Sequence, residues 1–221
     1  MIMDEKYKNK YRTTSHRLPG WDYSGNGYYF ITLVTQNREC NLGTIVETHG
    51  RASLQLSDFG KIVNTEWNKS FEIRAELILD TFVIMPNHLH AIIILEKPCN
   101  YKNDDTTVET HGRASLQQGH EFIRKPKSIS SFVGGFKSAV NSKIDDYIDE
   151  HNLNIPKYNR NNHFFQPNYY DHIIRNENEY NRIAQYIIDN PKKWKTDKLN
   201  GGEGNIVMES SAEYNSEIWM I

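Results

Sequence analysis

The sequence predicts an α+β fold, an antiparallel sheet with helices packed on one face, and three observations lead there. Runs rich in β-branched, aromatic and aliphatic residues at 28–35, 78–85 and 89–95 read as strands. Two longer stretches, 56–71 and 128–151, carry apolar residues at helical spacing. Their order along the chain is strand, helix, strand pair, helix and a further helix, which separates helices from a sheet built of hairpins. At 221 residues the chain is one domain of ordinary size over 1–199 with a tail over 200–221. No apolar run approaches the ~20 residues that span a bilayer, so no membrane association is expected. Two cysteines without a ligand-like cluster and an N-terminus without a signal-type apolar segment fit the cytoplasm. Net charge is −2, so any nucleic-acid role must rest on local basic patches.

In order, residues 1–20 form a polar, basic arm ending in Pro19-Gly20, and Asp22 to Gly27 is turn chemistry. Tyr28-Tyr-Phe-Ile-Thr-Leu-Val-Thr35 is the first strand, and Asn41 to Val46 a short edge piece. Ser57 N-caps a helix whose stripe is Phe59, Ile62, Val63 and Trp67. Ile78–Met85 and Leu89–Leu95 are two strands joined at Pro86-Asn87. Lys97–Lys127 is a polar surface excursion. From Ser128 to His151 a second helix shows Ile129, Phe132, Val133, Phe136, Val140, Ile144, Tyr147 and Ile148, with Gly134-Gly135 predicting a kink or a close backbone approach. Phe164 to Arg175 is partly extended, and Glu177–Asp189 is a third helix, stopped by Asn190-Pro191.

Ten residues, Val46-Glu-Thr-His-Gly-Arg-Ala-Ser-Leu-Gln55, recur unchanged at 108–117. Identity ends abruptly on both sides, unlike a tiling structural repeat. Both copies are expected in surface loops, as insertions at about 46–55 and 100–120. The peptide can be back-translated as GTA GAG ACG CAC GGC CGT GCG TCT CTA C, which is its own reverse complement. Our hypothesis is that a palindromic DNA element entered the gene twice in frame, which makes His49 and His111 passengers. The alternative is a duplicated binding peptide.

The chemistry centres on His88 and His90. Alternate residues of a strand share a face, so both imidazoles point one way while Leu89 enters the core. Two imidazoles are half of a metal site; without a third ligand, one is a satisfied core residue and the other faces solvent. Tyr186 and Asn190, four apart on the third helix, stack on one face. The Asn190 oxygen with His88 and His90 could hold Mg2+ or Mn2+ with open positions, and the Tyr186 oxygen would attack a phosphate. The bland alternative is that Tyr186, one of thirteen tyrosines, packs in the core.

Met85-Pro-Asn-His-Leu-His90 resembles the HUH motif (histidine, hydrophobic, histidine) of single-strand-specific tyrosine endonucleases. Tyr186-Ile-Ile-Asp-Asn-Pro-Lys-Lys-Trp194 and Asn168-Tyr-Tyr-Asp-His-Ile-Ile-Arg-Asn176 resemble the REP-associated tyrosine transposases, as do Arg17 to Tyr23 and Gly27 to Thr32. The resemblance runs in order from about Arg17 to Trp194. It implies a ferredoxin-like core whose central sheet carries the histidines, with the nucleophilic helix packed across it. It also implies His88 and His90 as metal ligands, Asn190 as the third ligand and Tyr186 as the nucleophile. The implied partner is single-stranded DNA with hairpin structure, cut through a 5′-phosphotyrosine intermediate. Candidate DNA contacts are Arg17, Arg124, Lys125, Lys127, Lys137, His172, Arg175, Lys192, Lys193 and Trp194. Two rivals are a non-catalytic hairpin-binding regulator and a hydrolase using water. Monomer and homodimer both stay open.

Overall fold

The structure, a computed structural model, describes residue 18 and residues 20–48, 51–97 and 126–200. Arg17, Arg124, Lys125, the second repeat copy, most of the predicted excursion and the tail beyond 200 lie outside the described residues. The elements in chain order are β1 (Gly27–Val34), β2 (Gly43–Thr48), β3 (Arg51–Leu56), α1 (Asp58–Glu72), β4 (Leu77–Met85), β5 (His88–Leu95), α2 (Ile129–Glu150), β6 (Tyr170–Ile174) and α3 (Glu177–Asp189). A 3₁₀ segment, Asn190–Thr196, follows.

Setting the β2–β3 pair aside, the order is β-α-β-β-α-β, and the four remaining strands lie side by side as β4-β5-β1-β6, all antiparallel. This is the ferredoxin-like arrangement that the sequence led us to expect. Both central strands are apolar on both faces, so both faces must be covered. Tyr29, Ile31 and Leu33 of β1 join Leu89, Ala91, Ile93 and Leu95 of β5 in the main core, beneath Val63 and Trp67 of α1 and Phe132, Phe136, Val140 and Ile144 of α2. Phe30 and Ile92 turn the other way and form a second core with Ile174 and with Ile183 and Ile187 of α3. Thus α1 and α2 share one face as predicted, and α3 crosses the opposite face. The face with His88 and His90 is the one that α3 covers.

The first helix starts at its predicted cap, and the second at a cap expected from the sequence to lie inside the helix. Ser57 Oγ accepts from the Gly60 N–H at 3.0 Å, and Ser128 and Ser131 form a reciprocal capping box at the head of α2. The Arg74 guanidinium lies over Gly135, 2.6 Å from where a Cβ would stand, so the close approach comes from a side chain. One expectation is corrected. The first repeat copy is not a loop, because it makes up most of the β2–β3 hairpin, paired from Gly43↔Leu56 to Thr48↔Arg51 in a two-stranded sheet of its own. Thr44-Ile-Val46 and Ala52-Ser-Leu-Gln-Leu56 alternate with the period of a strand, which outweighs the polar composition. Among the described residues no helix is long and apolar enough to cross a membrane.

Candidate active site

The β4–β5 hairpin is tight: Met85 pairs with His88, leaving Pro86-Asn87 as the turn. Asn87 is fully buried and fixes the hairpin to its surroundings. Its Nδ2 donates to Leu199 O at 2.7 Å and to Arg38 O at 3.0 Å, so its Oδ1 is left as an acceptor. His88 Nδ1 lies 2.7 Å from that oxygen and must carry the proton. Nε2 of His88 is therefore a bare lone pair. It is buried and has no hydrogen-bond partner, and the same is true of Asn190 Oδ1.

His90 stands across the sheet from Thr32 on β1 and from Val83 on β4. Thr32 Oγ1 is 2.8 Å from His90 Nδ1, and Tyr186 Oη is 3.2 Å from His90 Nε2. With the proton on Nδ1 donating to Thr32, Nε2 accepts the tyrosine O–H. The two imidazole centroids are 4.5 Å apart; Phe30 stacks on His90 at 5.3 Å, and Trp194 lies 6.1 Å from His88. Burial pushes the His88 pKa down to about 3, with the Asn190 side chain opposing the shift. Burial, and then the neighbouring His88, push His90 well below the usual imidazole range. Both rings are neutral, the form in which imidazole binds a metal.

The position of Asn190 follows from the end of α3. Ile183 and Ile187 anchor that helix on Phe30 and Ile92, and Asn190, at the next helical interval, arrives buried beside the histidines. Its side chain also reaches the Asp197 carboxylate. Burial raises the Asp197 pKa, while the Leu199 N–H, Asn190 and Arg38 hold it back. An amide meets a carboxylate through Nδ2, which leaves Oδ1 for His88. His88 Nε2 and Asn190 Oδ1 are thus two buried lone pairs with no donor between them. Both atoms are of the kind that can ligate a divalent cation. Among the described residues no three His, Cys, Asp or Glu side chains gather as a metal cluster, so this would be a site of two imidazoles and an amide.

Tyr186 is placed by ties at the other end of α3. His172 Nε2 is 2.7 Å from Glu179 Oε1, Glu179 Oε2 accepts the Arg175 N–H at 2.9 Å, and Tyr180 donates to Asp80 at 2.6 Å. His172 thus joins β6 to α3. Arg175 is exposed beside a cavity of about 480 Å3 that Tyr28 and Tyr180 also line, at the far end of the helix. Lys137 departs from the predicted phosphate contact: its ammonium donates to the carbonyls of Gln166, Pro167 and Asn168, and α2 is on the other face of the sheet. Lys127 sits in the turn ahead of α2, on that same side. Lys192 and Lys193 are exposed on the 3₁₀ segment with Trp194, next to His88. Sequence reasoning assigned no role to Asn87, Thr32 or Asp197. Asn87 lies inside the motif, but Thr32 and Asp197 come together with the site only through strand register and chain return.

No protein-family model matches the chain. It is 33% identical over 192 residues to an uncharacterised protein of Haemophilus influenzae, covering 84% of this chain and 91% of that one. The chain belongs to that protein's family. Among solved structures it is similar to a REP-associated tyrosine transposase bound to a REP hairpin, at 18% identity and a TM-score of 0.44, covering 76% of this chain and 67% of the other. It is also similar to a putative transposase from Deinococcus radiodurans, at 15% identity and a TM-score of 0.36, covering 78% and 95%.

Proposed function

We propose that the protein is a metal-dependent transposase that cleaves and rejoins single-stranded DNA at hairpin elements, with Tyr186 as nucleophile. The observation that carries this reading is the pair of buried lone pairs, His88 Nε2 and Asn190 Oδ1, beside a His90 Nε2 that holds the tyrosine oxygen. Most buried polar atoms have partners, and these two acceptors come together at one spot. The resemblance, which runs in order from about Arg17 to Trp194 and is interrupted at 46–55 and about 100–120, supports the same assignment, with 1–199 as one catalytic domain.

His88, His90 and Asn190 would hold Mg2+ or Mn2+. The ion supplies charge that polarises a phosphodiester and favours the ionised tyrosine. Tyr186 Oη forms a bond to phosphorus and the bond from phosphorus to the 3′ oxygen breaks. The tyrosine's proton ends, through water, on the departing 3′-OH. The 5′ phosphate stays on Tyr186 until a 3′-OH attacks it, and the bond energy is conserved through the exchange. Thr32 and Asn87 keep each ring's Nε2 turned toward the site. Trp194 offers a face for an unpaired base, and Lys192 and Lys193 meet phosphates.

A labelled single-stranded hairpin incubated with the protein and Mn2+, then run on a denaturing gel, tests this. A slow-migrating adduct that disappears on chelation and in Tyr186→Phe is expected. Hairpin bound but never cut would make the protein a regulator. Cleavage surviving in Tyr186→Phe would make water the attacking group.

A further inference from the structure

The repeated peptide has no place in the chemistry above, and of its first copy only Leu54 packs against the main core. Val46, Glu47, Ser53 and Gln55 are exposed, and Ala52 and Leu54 are half-buried. The hairpin they form is a two-stranded sheet of its own, not hydrogen-bonded to the four-stranded sheet, and it meets the 3₁₀ segment through Glu47 and Lys195. Surface positions of this kind tolerate substitution with little effect on stability. Packing therefore gives no reason for ten residues to stand unchanged at two places in one chain.

A constraint on DNA does give a reason. Every residue of the peptide admits a codon that completes GTAGAGACGCACGGCCGTGCGTCTCTAC, and that strand pairs with itself from end to end. As a single strand it closes into a hairpin, since pairing within one molecule outruns pairing between two. The first copy falls between β1 and α1, where an added hairpin leaves the order of the main sheet intact. An element of that sequence, carried twice by a gene whose product by the proposed function acts on hairpins, would itself be a hairpin of the required kind.

We propose that this palindrome, folded as a single-stranded hairpin, is the DNA on which the protein acts, so that its gene carries two copies of its own substrate. The inference rests on the proposed hairpin chemistry and narrows it to one element.

The gene is the first test. Codons in both copies should spell the palindrome, and codons that break its self-complementarity overturn the proposal. The full-length protein with Mn2+ is then titrated against three labelled single strands. These are the palindrome in its native flanks, a hairpin of equal length and base composition with another stem sequence, and a strand that cannot pair. The palindrome should bind at least about tenfold more tightly than the second hairpin, the scale of a few altered base contacts, and should form the Tyr186 adduct. Equal binding and equal adducts on both hairpins overturn the substrate assignment and leave the hairpin chemistry standing. Preferential binding of the palindrome without an adduct supports it as the bound target and overturns cleavage. Neither binding nor an adduct on any strand overturns the reading of the site itself.

Discussion

Each of the two histidines has one neighbour against its Nδ1, Asn87 at His88 and Thr32 at His90, and that sets what a substitution should do. Thr32→Val removes the hydroxyl at His90 Nδ1 while keeping the shape. Mn2+ affinity measured by calorimetry should fall by roughly 10–100-fold, the usual scale for losing a partner behind a metal ligand, with the fold retained. His88→Ala and Asn190→Ala should abolish binding in the same assay. Tyr186→Phe should not weaken it, because that variant only removes the O–H that occupies His90 Nε2. The buried rings also predict a pH dependence. In the unfolded chain a histidine binds a proton near pH ~6.5, whereas His88 in the fold resists protonation down to about 3. The unfolded state therefore holds more protons within that window, and stability falls with pH there. The melting temperature of the metal-free protein should be steady above about pH 6.5 and drop progressively below it. A flat profile from pH 7 to 4 would contradict the buried neutral pair.

At the scale of elements, α3 is the part whose placement matters, because it delivers Tyr186 and Asn190 onto a sheet that carries the histidines. Glu179 ties its first turn to His172 and to the Arg175 N–H. Glu179→Ala leaves both donors unmatched at a partly exposed spot and should cost about 1–2 kcal/mol in urea unfolding. Adduct formation should slow more than metal affinity falls, since the histidines stay on their strand. Much of this architecture is legible in the sequence. The cap Ser57, the two-residue turn at Pro86-Asn87 and the bounds of α3 follow from local rules. The β2–β3 hairpin is harder to see, because its polar, repeated sequence looks like an insertion in a loop although its alternation is that of strands.

Considered as a whole, the molecule puts its charge where bulk composition hides it. Lys192, Lys193 and Lys195 cluster after α3 beside Trp194, and Lys195 meets Glu47 of the β2–β3 hairpin at 3.1 Å. Replacing Lys192 and Lys193 by Gln should weaken single-stranded DNA binding for all sequences. The slope of log affinity against log salt should become shallower by roughly 0.7 for each phosphate that is no longer neutralised. The fold and the metal affinity should be unaffected. Glu47→Gln frees Lys195 and should act the other way, with tighter binding at low salt.

The sequence by itself determined the α+β class, the helix ends, the pairing of His88 with His90 on one strand face and the stacking of Tyr186 over Asn190. These are properties of neighbours in the chain, fixed by the periods of strand and helix. Only the tertiary structure decided that Thr32 stands against His90, that the carbonyls of Arg38 and Leu199 hold the Asn87 amide, and that Lys137 is used within the fold. Those contacts join residues far apart in the chain. Sheet register and the double-sided burial of β1 and β5 bring them together, and no local pattern in the sequence records either.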